Sequence, residues 1–267
     1  MRTRKFALPS FMGAAALVLA VAAILVNGRA ASPVQAAGTL APLPSGWPTT
    51  LQLGMSDAPG GAAALKATTN FGFRYQYLAG GVNTGNGWAS WNQNGAFVSY
   101  YIQDSIANNI IPVFSYYQLR QSAPGNSLPE AKGVLTNLQN ASTMAAYWAD
   151  LTLFFQKAGA FPRSTVVLHL EPDLWGYIQQ AASNDNAASV PAQVAGSGNP
   201  LLANLPNTMA GFAQAVLRLR DTYAPNVKLG YHLSYWGTGV DPLYAKPDNA
   251  TIVALATRSA TFYASLH

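Results

Sequence analysis

The sequence predicts an α/β protein, a TIM-like (β/α) barrel that is distorted or incomplete, with about five βα units visible. Short β-branched and apolar runs alternate with longer amphipathic runs, an order that argues for parallel strands joined by crossover helices. Candidate chemistry gathers at the ends of the strand-like runs, where parallel α/β folds place their sites. Five such units do not close an eight-stranded barrel.

Residues 1–36 have the layout of a secretory signal peptide. Arg2, Arg4 and Lys5 precede an apolar run from Phe11 to Val26, and small residues at Val34 and Ala36 suit a cut before Ala37. An uncleaved segment would instead act as a membrane anchor, although sixteen apolar residues are slightly short for a span. Residues 37–50, rich in Pro and Gly, read as a linker or wrapping arm, and 51–267 as the barrel-like domain.

The first strand is Leu51 to Asp57 and the first helix "AAALKATTN"; the second strand runs from Phe73 to Gly81. A loop with Trp88 and Trp91 leads to the helix "AFVSYYIQDSIANN", then to a third strand, Ile110 to Leu119. Glu130 begins a helix, where an acidic side chain favours the helix dipole, and "ASTMAAYWADLTLFFQKAG" is helical between a Ser/Thr start and a Gly159 stop. "STVVLHLEPD" is the fourth strand, followed by a long loop from Ala182 to about Asn204. "TMAGFAQAVLRLRDTYA" is an amphipathic helix, "VKLGYHLSYWG" the fifth strand, and "NATIVALATRSATFYASLH" a last helix. That helix has no stop signal, so a truncated C-terminus is expected.

Without Arg2, Arg4, Lys5 and Arg29, eleven of the fifteen basic residues remain against ten acidic ones, a net charge of +1. The basic pI is thus mostly a targeting signal, and with no Lys/Arg cluster left a nucleic-acid partner is not expected. The absence of cysteine excludes disulfides and thiolate chemistry and suits a bacterial exported protein. Charged residues make up only 9% of the chain, and the abundant Asn, Gln, Ser, Thr, Tyr and Trp give a polar, uncharged surface suited to neutral sugars. The expected protein is a secreted monomer with no cofactor, no bound metal and no stable membrane partner after signal cleavage.

Of the ten carboxylates, Asp104, Asp150 and Asp221 fall on helical runs, where a solvated face is the expectation, and Asp185, Asp241 and Asp248 fall in loops. Asp57, Glu171 and Asp173 remain at strand ends. Residues i and i+2 of a strand share a face about 6.5 to 7 Å apart, so His169, Glu171 and Asp173 are expected to point to one side. A buried charge there must be paired or used. Glu171 is the candidate acid/base, supported by Asp57 or Asp173; the structural alternative pairs it with Arg74, Arg120 or His232. Tyr75, Tyr77, Trp88, Trp91, Tyr116, Tyr117, Trp175, Tyr231, Tyr235 and Trp236 gather at or after strand ends, where rings can stack on sugars. With His169, His232 and Arg120, they make up the expected substrate-binding set, for a polysaccharide or oligosaccharide.

The stretch "VVLHLEPDLWGYI", the helix "MAAYWADLTLFFQK" before it and "APNVKLGYHLSYWGTGVDP" after it resemble glycoside hydrolase family six, cellulases with an incomplete, distorted α/β barrel. The resemblance covers about residues 140–242. It implies polysaccharide hydrolysis, with Asp173 supporting the site. The family's acidic Tyr-Asp-Leu-Pro-Asp pattern has no carboxylate counterpart in "SYYQLRQSAPG", so its general acid does not carry over. Looser is the resemblance to barrel hydrolases whose acid is a Glu followed by Pro on the fourth strand, which implies that role for Glu171. Two rival readings are a non-catalytic carbohydrate-binding or surface protein on a degenerate hydrolase scaffold, and a metal-dependent hydrolase using His169, Glu171 and His232.

Overall fold

A computed structural model of the chain describes residues 42–266. The expected signal peptide and the start of the arm lie outside the described residues. Residues 44–267 form one compact unit. Among the described residues no helix is long and apolar enough to cross a membrane.

The unit is an α/β fold around five parallel strands: β1 Gly54–Ser56, β2 Phe73–Leu78, β3 Ile111–Tyr116, β4 Val166–Leu170 and β5 Val227–Tyr231. They lie in the sheet in sequence order, so each strand pairs with its neighbour in the chain. Among the described residues β1 and β5 are free edges and the sheet does not close.

The helices are α1 Ala62–Thr68, α2 Ala96–Ala107, α3 Glu130–Gln139, α4 Ala141–Gly159, α5 Leu174–Ala181, α6 Met209–Tyr223, α7 Pro242–Ala245 and α8 Asn249–Ala264. Side-chain caps open α4, α6, α7 and α8, from Asn140, Thr208, Asp241 and Asp248, while α1, α2, α3 and α5 start without one. Asn140 accepts the Thr143 N–H at 2.9 Å to open α4, and Asp248 accepts that of Thr251 at 2.8 Å to open α8. The α5 helix was not expected; the Glu-Pro-Asp turn that looked like a strand end feeds directly into it.

Alternation along the strands divides the sheet into two unlike faces. Leu78, Phe114, Tyr116, Val166, Leu168, Leu170 and Val227 are buried in the main core, together with Tyr147, Leu151 and Phe154 of α4 and Phe212 and Val216 of α6. The opposite face carries Tyr75, Tyr77, Val113, Ser115, Val167, His169 and Lys228, aligned across the strands by the register Tyr75↔Val113, Val113↔Val167 and Val167↔Lys228. This second face is exposed at β2, where Tyr75 is 36% and Tyr77 48% exposed, while Ser115 and Val167 on it are buried.

Two of the helical carboxylates are not on solvated faces. Asp104 pairs with the fully buried Arg74, whose guanidinium stacks over the Tyr101 ring 4.0 Å from its centroid. Asp150 accepts from Trp88 Nε1 at 2.7 Å and from the Tyr116 hydroxyl at 2.6 Å. Both carboxylates lie on the inward sides of their helices, where a buried donor needs an acceptor. Asp221 is exposed, as expected. Asp185 is not a free loop carboxylate either: it takes a two-pronged bond from Arg258 of α8 at 2.8 and 3.0 Å.

Candidate functional site at the carboxyl edge of the sheet

The fourth strand ends one residue before Glu171, and the chain turns there. Glu171 has φ +42°, a left-handed conformation that a non-glycine residue adopts only when its surroundings hold it. Its N–H donates to the Tyr116 carbonyl at 2.7 Å and its carbonyl accepts from Leu174 N–H at 3.2 Å, which joins β3, β4 and α5 at one residue.

That turn ends the strand alternation. His169 remains on the open face, with Nδ1 3.4 Å from the Ser115 hydroxyl and its ring 5.5 Å from that of His232. Glu171 instead points among the side chains beneath the carboxyl edge and is 1% exposed. The expectation that His169 and Glu171 share a face is therefore corrected: the positive φ rotates the carboxyl away from the histidine.

Glu171 Oε1 accepts the N–H groups of Gln118 at 3.0 Å and Leu119 at 3.1 Å, in the loop after β3. Burial pushes the carboxyl up to about 8, against those two bonds and the pull of the nearby Tyr147 hydroxyl, which hold it down. At neutral pH the group is thus largely protonated, the state of a proton donor. It pairs with none of Arg74, Arg120 or His232. The Tyr147 hydroxyl approaches it without a fully formed hydrogen bond, and both polar atoms of the buried Gln118 side chain find no partner among the described residues. Buried unpaired polar groups are uncommon, and their concentration beside one carboxyl marks this corner of the fold.

Asp173, two residues on, is half-buried at the mouth. Its charge reaches His169, Tyr117 and Tyr177. Burial and the neighbouring His232 lower the proton affinity of His169, and Asp173 partly restores it. Around them Tyr117 donates to Glu130 at 2.6 Å, and the Tyr177 ring packs 4.8 Å from that of Trp236. Gly176 permits that packing, because a Cβ there would lie 2.5 Å from the Trp236 ring.

The remaining expected residues divide into two groups. Tyr75, Trp91, His232 and Tyr235 are exposed and available, while Trp236 and Arg120 are half-buried at the rim. Trp88, Tyr116 and Trp175 are fully buried. Trp88 and Tyr116 serve Asp150, and Trp175 Nε1 donates to the Leu170 carbonyl at 2.9 Å, so these three hold the edge together from below. Asp57 lies with Arg74, 3.5 Å from its Nε, on the helix-covered side and not with His169. The metal reading fails for the same reason that separates Glu171 from the histidines. Among the described residues no three His, Asp or Glu side chains are placed to hold an ion.

Arg120 also lines a second feature, a hollow of about 610 Å³ between the loops that follow β2 and β3, with Gly80, Thr84, Asn86, Gln121 and Asn126. Its polar wall, with Arg120 as the one charged group among these lining residues, is the kind of surface that sugar hydroxyls satisfy. Sequence reasoning missed Gln118, Tyr147 and Tyr177. Tyr147 lies on the apolar stripe of α4 and reads as core, and nothing in "YYQLRQ" distinguishes an inward-facing Gln.

No family model, curated protein or solved structure matches the chain.

Proposed function

We propose that this is an exported carbohydrate-active protein on an incomplete (β/α) barrel, binding a polysaccharide along the open sheet face and the loops at its carboxyl edge. The observation that carries this reading is the exposure of Tyr75 and Tyr77 on that face, with ring centroids 6.2 Å apart and ring planes at 68°. Exposed rings at adjacent same-face positions of one strand offer stacking surfaces for the apolar faces of successive sugars, and the polar hollow beside Arg120 offers hydrogen bonds.

A hydrolytic version of this reading is favoured by Glu171, a carboxyl held protonated at neutral pH in a strained turn at the carboxyl end of β4. In that version Glu171 gives its proton to the glycosidic oxygen as the anomeric C–O bond breaks, water adds to the anomeric carbon and its released proton restores the Glu171 carboxyl, with the loop at Gln118–Leu119 moved aside to expose it.

The two versions separate in one experiment. Binding and release of reducing ends are measured on a panel of glucans, xylan and mannan for the native chain, Tyr75→Ala/Tyr77→Ala and Glu171→Gln. Binding lost in the tyrosine variant and kept in Glu171→Gln, without hydrolysis by any of them, supports the binding protein. Hydrolysis abolished by Glu171→Gln supports the hydrolase. Absence of glycan binding by the native chain overturns both.

A further inference from the structure

We infer that the glycan taken by the open face is acidic, a polymer carrying carboxylates such as a uronan, rather than a neutral one. The inference rests on the proposed carbohydrate reading and names its substrate class.

The register Val167↔Lys228 puts the Lys228 side chain on the same face as Val167 and His169, and the paired rings of His169 and His232 put His232 there too. Lys228 makes no ion pair among the described residues. The carboxylates are placed elsewhere. Asp57 and Asp104 are held by Arg74, the half-buried Asp150 is engaged by Trp88 and Tyr116, and Glu171 is buried on the helix-covered side. Glu130 is engaged by Tyr117 on α3, and Asp185 by Arg258. Asp241 and Asp248 cap α7 and α8, and Asp221 is paired with its neighbour Arg220.

Asp173 alone has its charge felt at His169, from the mouth rather than from the strands. The face is thus a tyrosine-lined surface carrying one lysine and two histidines, without a carboxylate among the strand residues that line it. Such a surface stacks sugar rings and attracts their carboxylates together. Protonation of His169 adds positive charge, so attraction grows as pH falls, although burial and the neighbouring His232 lower its proton affinity. The groups that face His169 are Ser115, His232 and Asp173; the Asp173 charge favours its protonation and itself repels a carboxylate.

The test compares polygalacturonate with a neutral glucan of matched length by calorimetry or affinity electrophoresis, at low and at high salt. The expected result is binding of polygalacturonate tighter by about tenfold at low salt, weakening as salt is added while glucan binding stays constant. Lys228→Gln, a change on an edge strand, is expected to weaken polygalacturonate binding several-fold and to reduce its salt dependence. Glucan bound as tightly as polygalacturonate, with no salt dependence and no effect of Lys228→Gln, overturns the inference and leaves the carbohydrate reading standing. Binding of neither polymer overturns both.

Discussion

The Glu171 carboxyl accepts the Gln118 backbone N–H at 3.0 Å, so a residue at the end of β4 fixes the loop that leaves β3. The bond is made by a group whose burial favours its neutral form, and this contradiction gives the first prediction.

Glu171 releases its proton near 4.5 in the unfolded chain and near 8 in the folded one. A folded value raised in this way means that stability is full below the unfolded value and is lost as pH rises from about 4.5 to about 8. At about 1.4 kcal/mol per unit the loss amounts to several kcal/mol. Glu171→Gln, which keeps an oxygen for the two N–H donors, should flatten that slope and make the chain more stable than the native one in mild alkali. Denaturant melts at about pH 5 and about pH 9 measure it. The same slope in both proteins would show that Glu171 does not titrate this way.

Asp150 takes both of its bonds, from Trp88 and Tyr116, on one oxygen. Asp150→Asn can keep both acceptances and should cost about 1 kcal/mol or less, whereas Asp150→Ala strands two buried donors and should cost about 2–5 kcal/mol. Chemical denaturation of the pair checks the ranking. Equal losses would argue that the charge, rather than the acceptor, is what matters.

Arg74 is fully buried between Asp104 and Asp57 and also donates to the Ala58 carbonyl at 2.8 Å. Burial works against the Asp104 carboxylate, but the bonds from Arg74 and from the Ala62 and Gly60 N–H groups hold its proton affinity below the usual range. Arg74→Met should destabilise by about 3–5 kcal/mol. Adding Asp104→Asn to it should cost much less than the two changes summed, which a double-mutant cycle reads directly.

Asn226 closes the turn before β5 by donating to the carbonyls of Ala158, Phe161 and Ser164 at 3.2, 3.1 and 3.0 Å. Asn226→Ala leaves these chain-end carbonyls without their donor and should cost about 1–3 kcal/mol. Faster amide exchange is expected at the end of α4 and the start of β4, with the rest of the chain protected as before.

The pattern of the sequence predicts the α4 helix residue for residue and the α2, α6 and α8 helices to within a few residues, because apolar periodicity is a local signal, whereas the fifth strand, expected through Gly237, ends at Tyr231. What it leaves hidden is direction. The i, i+2 rule holds from Val167 to His169 and fails at Glu171, where one positive φ sends the carboxyl to the helix side. Helical position alone likewise does not show that Asp104 and Asp150 look inward, since the donors that claim them, Arg74 and Trp88, are 30 and 62 residues away. The exposed and buried aromatics look alike in the sequence for the same reason.

The strand order, in which each strand lies beside the one made before it, bears on how the chain reaches this state. Each strand offers its free edge to the one made next, yet the pairings join residues from 19 apart (Gly54↔Phe73) to 61 apart (Val166↔Val227) along the chain. Parallel pairing across such long connections is slow to close. A chain that emerges from its amino end therefore adds one βα unit at a time to an existing edge. The pairing edge left for the next unit would be the strand most recently released.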